Sequence, residues 1–322
     1  MKRLQYYRRI MSSYLLRKNS QLTFWHEEPE INPDAFSGEL GPYYMTFRGK
    51  ASYEGPFDDA GVPLLDYHGT VGRQYNPIAI AQYALANYNL AVKGDDARWD
   101  AFLRNARWLL NSRMSNERGL KLWPHHFDFE YYRPLKAPWF SGLAQGQGLS
   151  VLTRASAITG DEAYRVAADE TFHSITASIG DGGVLFHDAL GRPWIEEYLV
   201  EPPTHILNGC MWALWGVYDY ALLTGQDRAK ALFTSCSKAI TAQLNEYDNG
   251  FWSLYEQTPQ RFKSVASGYY HQLHIVQLRI MHRLTGEDVF ADVADRWAGY
   301  AERPLYRGLA LASKIAFKLA YY

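Results

Sequence analysis

The chain has 322 residues, a formal net charge of −1, two cysteines, and 24 Tyr, 10 Trp and 15 Phe. A charge so near zero excludes the basic footprint of nucleic-acid binding. The absence of an apolar run of about 18 residues and of a secretory leader pattern predicts neither a transmembrane segment nor export, hence a cytoplasmic protein.

The N-terminal stretch interleaves Lys2, Arg3, Arg8, Arg9, Arg17 and Lys18 with Tyr6, Tyr7, Ile10, Leu15 and Leu16. It reads as an amphipathic arm that packs on the body or on a second copy of the chain, as in a homodimer. A membrane-surface helix is the other reading. Residues 21–72, rich in Gly, Pro and Asp, predict a β-hairpin or an irregular wrapping element. Within them Asp58 and Asp59 could join a structural calcium site. The boundary is set there: 1–72 as arm and wrapping element, 73–322 as a helical domain.

From residue 73 onward the apolar residues recur at three- and four-residue steps. They predict helix pairs at 77–92 with 96–110, 143–158 with 162–177, 207–223 with 228–244, and 271–284 with 289–300. Each first helix ends in a similar turn: Lys93-Gly94-Asp95, Thr159-Gly160-Asp161, Thr224-Gly225-Gln226 and Thr285-Gly286-Glu287. Gly suits the left-handed position after a helix, and an acidic residue suits the start of the next. The glycines, at 94, 160, 225 and 286, are nearly evenly spaced. First helices such as the one holding Met211-Trp212-Ala213-Leu214-Trp215 are apolar almost all round; second helices are amphipathic. The fold class that follows is mainly α: an (α/α) toroid or incomplete barrel of about four helix hairpins. Between pairs, 119–132, 183–198 and 250–255 read as short β elements gathered at one end. Cys210 and Cys236 lie in helical stretches without CxxC or Cys/His spacing and are expected as buried thiols.

Four clusters could carry chemistry. Trp194-Ile195-Glu196-Glu197-Tyr198 leaves a strand and leads through Pro202-Pro203-Thr204-His205 into a helix. Adjacent carboxylates on a strand face opposite sides, so at most one enters a given cleft, and the residues alone do not choose between them. In Tyr269–Gln277, the side chains of His271, His274 and Gln277 share one helix face. Their spacing suits a polar wall better than the i, i+4 histidine pair of a zinc site. Trp252-Ser253-Leu254-Tyr255 ends a short strand. Pro138-Trp139-Phe140-Ser141 precedes Ala144-Gln145-Gly146-Gln147, where glycines permit close approach. No GxSxG, P-loop or GxGxxG stands in strand–turn–helix context. The tyrosine excess suits stacking on sugar rings as well as core filling.

Taken in order, these motifs resemble the C-terminal catalytic domain of D-glucuronyl C5-epimerases. The resemblance rests on the residues just quoted, on Leu207-Asn208-Gly209 with Tyr218-Asp219, on Tyr247-Asp248, and on Tyr270-His271 with His274. Tyr75-Asn76-Pro77-Ile78 with Gln82 resembles the segment that opens the family's helical region. Between Tyr255 and Tyr270 the chain is shorter than the family pattern. An arginine and a histidine of that pattern have no counterpart at Glu256–Thr258, where Arg261 could substitute. The resemblance implies that residues 73–322 form a catalytic toroid acting on glucuronate within a polysaccharide such as heparosan or a heparan sulfate precursor. It implies conversion of D-glucuronate to L-iduronate without metal or redox cofactor.

Inversion at C5 removes a proton α to a carboxylate and returns one from the opposite face. It needs two acid/base groups and stabilisation of an enediolate. The resemblance implies Glu197 and Tyr270 as the opposed pair, with Tyr198 and Tyr255 beside them; chemistry alone accepts Glu196 or His271 equally well. Arg73, Tyr75, Gln82, Gln145, Asn208, His271 and His274 are the candidates for holding the substrate. A polysaccharide lyase or uronyl hydrolase on the same scaffold is the alternative, since a lyase shares the first step. A non-catalytic glycan-binding toroid is the reading from another class.

Overall fold

The computed structural model describes residues 22–67, 69–131, 133–258 and 260–321. The basic arm, and with it the expectation of a homodimer through that arm, lies outside the described residues. Helices α1 (Pro77–Ala91) and α2 (Arg98–Asn111) form the first pair, α3 (Gly142–Thr159) and α4 (Glu162–Thr176) the second, α5 (Leu207–Thr224) and α6 (Asp227–Gln243) the third, and α7 (Gly268–Thr285) and α8 (Asp288–Glu302) the fourth. A further helix, α9 (Pro304–Tyr321), follows.

The repeated turn has a local cause. Gly160, Gly225 and Gly286 take φ of 68°, 68° and 73°, the left-handed region that a side chain resists. The preceding threonine hydroxyl accepts the backbone N–H two residues on, from Asp161, Gln226 and Glu287 at 3.1, 3.1 and 3.2 Å. The same hydroxyls donate to the carbonyls of Ala155, Tyr220 and Met281 four residues back. Each Thr-Gly thus closes one helix and launches the next. At the first turn, Gly94 (φ 103°) follows Lys93 and no threonine takes part.

Packing sorts the helices into two rows. Successive first helices touch in the order α1, α3, α5, α7, and each second helix lies against its own partner. Every residue of α5 from Leu207 to Val217 is buried, whereas α2 buries only Phe102, Asn105, Ala106 and Leu109. That is the inner and outer row of an (α/α) toroid. The tightest contact, α3 on α5, needs glycine: a Cβ on Gly216 would stand 1.9 Å from the Gly146 carbonyl oxygen, and one on Gly146 would stand 2.2 Å from the Ala213 Cα.

The N-terminal segment spans from the first to the last inner helix. Asn89 of α1 accepts from the Tyr43 N–H at 2.7 Å and donates to the Met45 carbonyl at 2.8 Å. Tyr44 packs against Trp215 of α5, His26 against Tyr269 of α7, and Arg283 of α7 sits over Phe36. A buried ion pair, Arg154 of α3 with Asp219 of α5 at 2.6 Å, takes the Tyr44 hydroxyl at 2.6 Å and holds the Gly41 carbonyl at 3.0 Å. The segment is mostly irregular: single helical turns at Leu22–Trp25 and Arg48–Ala51, and a two-residue ladder of β1 (Leu65–Asp66) with β2 (Arg73–Gln74). Its aromatic side chains are spent on the helices instead of on a second strand, so no extended hairpin develops.

The connections from one pair to the next carry the short strands. β3 (Met114–Ser115) pairs with β4 (Lys121–Leu122) and β5 (Pro124–His125) with β6 (Trp139–Phe140); β7 (Leu185–His187) pairs with β8 (Pro193–Ile195) across the expected Gly191-Arg192 turn. The stretch 250–255 forms single bridges, Asp248 to Ser253 and Leu254 to Val265, in place of a regular strand. The up-and-down course of the helices brings all these connections to one end. Both cysteines are free and buried, and among the described residues no helix is long and apolar enough to cross a membrane.

Candidate active site

Glu196 and Glu197 emerge from β8 and are treated oppositely. Glu196 is fully buried; the His205 backbone N–H donates to it at 3.1 Å and the His205 ring bonds its other oxygen. His205 takes a positive φ of 48° to do so, and its carbonyl accepts the Tyr247 hydroxyl. Glu196 is thereby consumed in fastening the loop. Glu197 points to the other side, as alternation on a strand requires. It is 4 % exposed, and its Oε2 has no hydrogen-bond partner. The first turn of α5 comes so close that a Cβ on Gly209 would lie 2.2 Å from that oxygen.

Three tyrosines gather around Glu197. Tyr198 follows it on the chain and hydrogen-bonds its carboxyl group. Tyr255 is placed by backbone bonds on both sides: its N–H reaches the Ser264 carbonyl at 2.7 Å, and its carbonyl accepts from Leu207 at 3.3 Å. Ser267 caps α7 by accepting from the Tyr270 N–H, which sets Tyr270 in the first turn. The Tyr255 and Tyr270 rings meet edge to face, centroids 4.8 Å apart. Both are half-buried, whereas Tyr198 and Glu197 are buried. Four of the residues proposed from the sequence therefore come together.

Burial governs the electrostatics. Loss of hydration, reinforced by Glu256 and Glu196 and opposed by the Tyr198 hydrogen bond, raises the Glu197 carboxyl from 4.5 to about 8. The same desolvation, with the Glu197 charge next, pushes the Tyr198 and Tyr255 phenols well above their ordinary 10. The arrangement is one carboxyl made unusually basic among phenols that hold their protons.

The remaining candidates are placed differently. His271 is engaged at both ring nitrogens, with Ser253 at 2.8 Å and the Trp297 carbonyl at 2.9 Å, and stacks on Trp252 at 3.8 Å. His274 shares the Ser253 hydroxyl through Nδ1, while its buried Nε2 has no partner. Gln145 spends its amide on the backbone of Trp123 and Ser141. Gln82 of α1 donates to Gln147 of α3 at 3.1 Å in the interior of the inner row. Asn208, beside Gly209, keeps a buried Oδ1 without a partner. Arg73 is exposed on β2 opposite Asp66, and Tyr75 donates to Asp58 and leans on Trp108 of α2. Those two are held by the N-terminal segment and α2, not by the elements that carry the cluster. Arg261 is exposed.

Both Asp58 oxygens are occupied, one by the Val62 N–H at 2.7 Å and one by the Tyr75 hydroxyl at 2.7 Å. Among the described residues no group of three or more His, Cys, Asp or Glu is arranged to hold a metal ion. A surface cavity of about 420 Å³ is lined by Glu27, Glu30, Thr46 and Arg48 of the N-terminal segment and by none of the four cluster residues.

Sequence reading missed Tyr131, Glu256 and α9. Tyr131 lies edge-on to Tyr198 at 4.8 Å and its hydroxyl bonds Glu256, a buried acid next to Tyr255. Nothing in the local sequence marks Tyr131, which sits in an irregular loop. The helix was readable: Pro304 at its first position, apolar Leu305, Leu309, Ala312, Ala316 and Leu319 at three- and four-residue steps, and Lys318 in its last turn.

A family model described as D-glucuronyl C5-epimerase C-terminus matches residues 117–299, more than half of the chain and all four cluster residues. The chain belongs to the D-glucuronyl C5-epimerase C-terminal family. Among curated relatives, it is 30% identical over 217 residues to a D-glucuronyl C5-epimerase of Caenorhabditis elegans, covering 62% of this chain and 35% of that protein. It is 28% identical over 179 residues to an uncharacterized protein of Methanocaldococcus jannaschii, covering 55% and 56%. The chain thus spans between a third and just over half the length of these relatives. Among solved structures, a cellobiose 2-epimerase of Spirochaeta thermophila aligns with a TM-score of 0.47 at 15% identity, over 67% of this chain and 56% of that one. Helix α9 and the N-terminal segment lie outside the matched span.

Proposed function

We propose that the protein is an isomerase that inverts C5 of D-glucuronate residues within a polysaccharide, giving L-iduronate. The observation that carries this is the buried Glu197 carboxyl, one oxygen unpartnered and its affinity for protons raised to about 8, enclosed by Tyr198, Tyr255 and Tyr270. A carboxylate of that basicity is matched to abstracting a weakly acidic C–H near neutral pH, and a phenol on the opposite face has a proton to return to the far more basic carbon.

In the proposed step a Glu197 oxygen takes the C5 proton, and the C–H electron pair moves into the uronate carboxylate as an enediolate. Tyr270 delivers its phenolic proton to the other face of C5, and the electron pair returns to form the new C–H bond. Glu197 is left protonated and Tyr270 as phenolate. Proton transfer through Tyr255, Tyr198 and solvent resets both. Substrates such as heparosan carry the required internal glucuronate.

Proton NMR of glucuronate-containing polymers incubated with the protein in D2O tests the reading. Deuterium at C5 together with iduronate signal at unchanged chain length is the expected result. A shortened chain with the ultraviolet absorbance of an unsaturated uronate would establish a lyase, and no incorporation into any uronan would leave a binding function.

A further inference from the structure

An enediolate is stabilised by positive charge at the substrate carboxylate, and Arg73 and Arg261 are both exposed. Helix α9 does bring cations there. Lys314 Nζ lies 5.6 Å from the centroid of the Tyr255 ring and 5.9 Å from that of Phe317, the buried residue that seats α9. Lys318, one turn further on, senses the same Glu256 carboxyl as Lys314, together with Glu130. Glu256 is already engaged by the Tyr131 hydroxyl. Lys314 therefore stands at the edge of the tyrosine cluster, and Lys318 follows it one turn on in the same helix. Loss of hydration lowers Lys314 to about 8 and Lys318 to about 7. An arriving anion would offset that loss and restore full charge.

We propose that Lys314 and Lys318 of α9 are the groups that bind the uronate carboxylate of the substrate, presenting it with C5 toward Glu197 and the Tyr255–Tyr270 pair. This rests on the uronate reading of the same site. It makes α9 part of the binding site and gives the site its selectivity for acidic over neutral sugars.

The test measures affinity for a heparosan oligosaccharide and for its carboxyl-reduced counterpart, in which glucose replaces glucuronate. The proteins are the unaltered chain, Lys314→Met, Lys318→Met, and Lys314→Arg. Methionine keeps the apolar stem, and a melting curve shows whether α9 stays seated. The unaltered chain should prefer the acidic ligand by on the order of 10- to 100-fold, the scale of a charge-assisted hydrogen bond. Each methionine variant should lose most of that preference without losing affinity for the reduced ligand, and arginine should restore part of it. Variants that fold and keep the full preference, in a protein that still exchanges C5 hydrogen, overturn the lysine assignment and leave the epimerase reading intact. Loss of preference in the variants, where the unaltered chain itself exchanges no C5 hydrogen, overturns the epimerase reading and upholds the lysines. An unaltered chain that binds both ligands equally overturns the assignment directly.

Discussion

Two buried carboxyl groups toward opposite ends of α5 are handled in opposite ways. Asp219 is fully sequestered, meets Arg154 through two bonds at 2.6 and 3.1 Å, and takes the Tyr44 hydroxyl as well. Glu197 is also buried, and among the described residues it faces no cation at bonding distance and keeps an oxygen without a partner. A buried charge with every lone pair answered ties elements together; one left unanswered destabilises the fold and remains available to a substrate. The first joins two inner helices to the N-terminal segment, and the second stands where three connections meet.

The largest effect should come from breaking the answered charge. Asp219→Ala leaves the Arg154 guanidinium buried and unpaired and should cost about 3–5 kcal/mol of stability, read by chemical denaturation. The activity of the molecules that remain folded should be unchanged. A loss under about 1 kcal/mol would mean that the pair is not the tie described.

The unanswered charge should respond in reverse. Glu197→Gln keeps the shape and removes the base, so C5 exchange in D2O should fall by on the order of 10²-fold or more. Tyr270→Phe should do the same, and the double variant should lose little further, because residues acting as a unit fail together. Stability should hold or rise in Glu197→Gln, since an unpaired acid leaves the interior. Near wild-type exchange in both single variants would move the chemistry to Glu196, Tyr198 or Tyr255.

Much of this contrast could be read ahead of the structure, and the missing part has a physical pattern. The Thr-Gly turns and helix pairs were legible because their causes are local: a left-handed glycine, a threonine cap, an apolar stripe. The choice between Glu196 and Glu197 was not. Strand alternation says only that they diverge, and the decision lies with His205, nine residues on and in a left-handed conformation that no motif announces. Tyr131 and Lys314 reach the site from a loop and from a helix beyond the last repeat, so their relevance is set by tertiary packing. Tyr75, chosen from a motif, and Arg73 before it belong to the same segment of chain as α1, but Arg73 lies in the β1–β2 ladder opposite Asp66 and Tyr75 is held by Asp58 and Trp108.

A smaller effect is expected from pH. The folded-state value for Glu197, about 8, lies above the unfolded 4.5, so native protein keeps a proton that unfolded protein has lost. Between about pH 4.5 and 8 this group therefore makes stability fall as pH rises, by up to about 1.4 kcal/mol per unit. Glu197→Gln should flatten that part of the stability profile and close the gap to wild type at pH 5. In wild type, kcat/KM for C5 exchange should climb through about pH 8 as the base loses its proton. Parallel stability profiles for the two proteins would show that Glu197 is not the raised group.

The smallest effect tests where the site ends. Tyr75 is 39% exposed, gives its hydroxyl to Asp58 at 2.7 Å, and leans on Trp108 with ring centroids 5.2 Å apart. Asp58 is otherwise occupied in closing its own turn through the Val62 N–H. Removing the hydroxyl in Tyr75→Phe deletes one exposed hydrogen bond and leaves the ring packing in place. The cost should be about 0.5–1 kcal/mol in stability and under about twofold in the rate and KM of C5 exchange. Phe in place of Tyr also frees one Asp58 oxygen to water, which is why little is lost. A rise in KM of about tenfold with kcat unchanged would instead mean that the hydroxyl contacts substrate uniformly through the reaction. In that event the β1–β2 element, Arg73 included, would be a sugar subsite, and the polysaccharide would run from the α5–α7 mouth across the N-terminal segment.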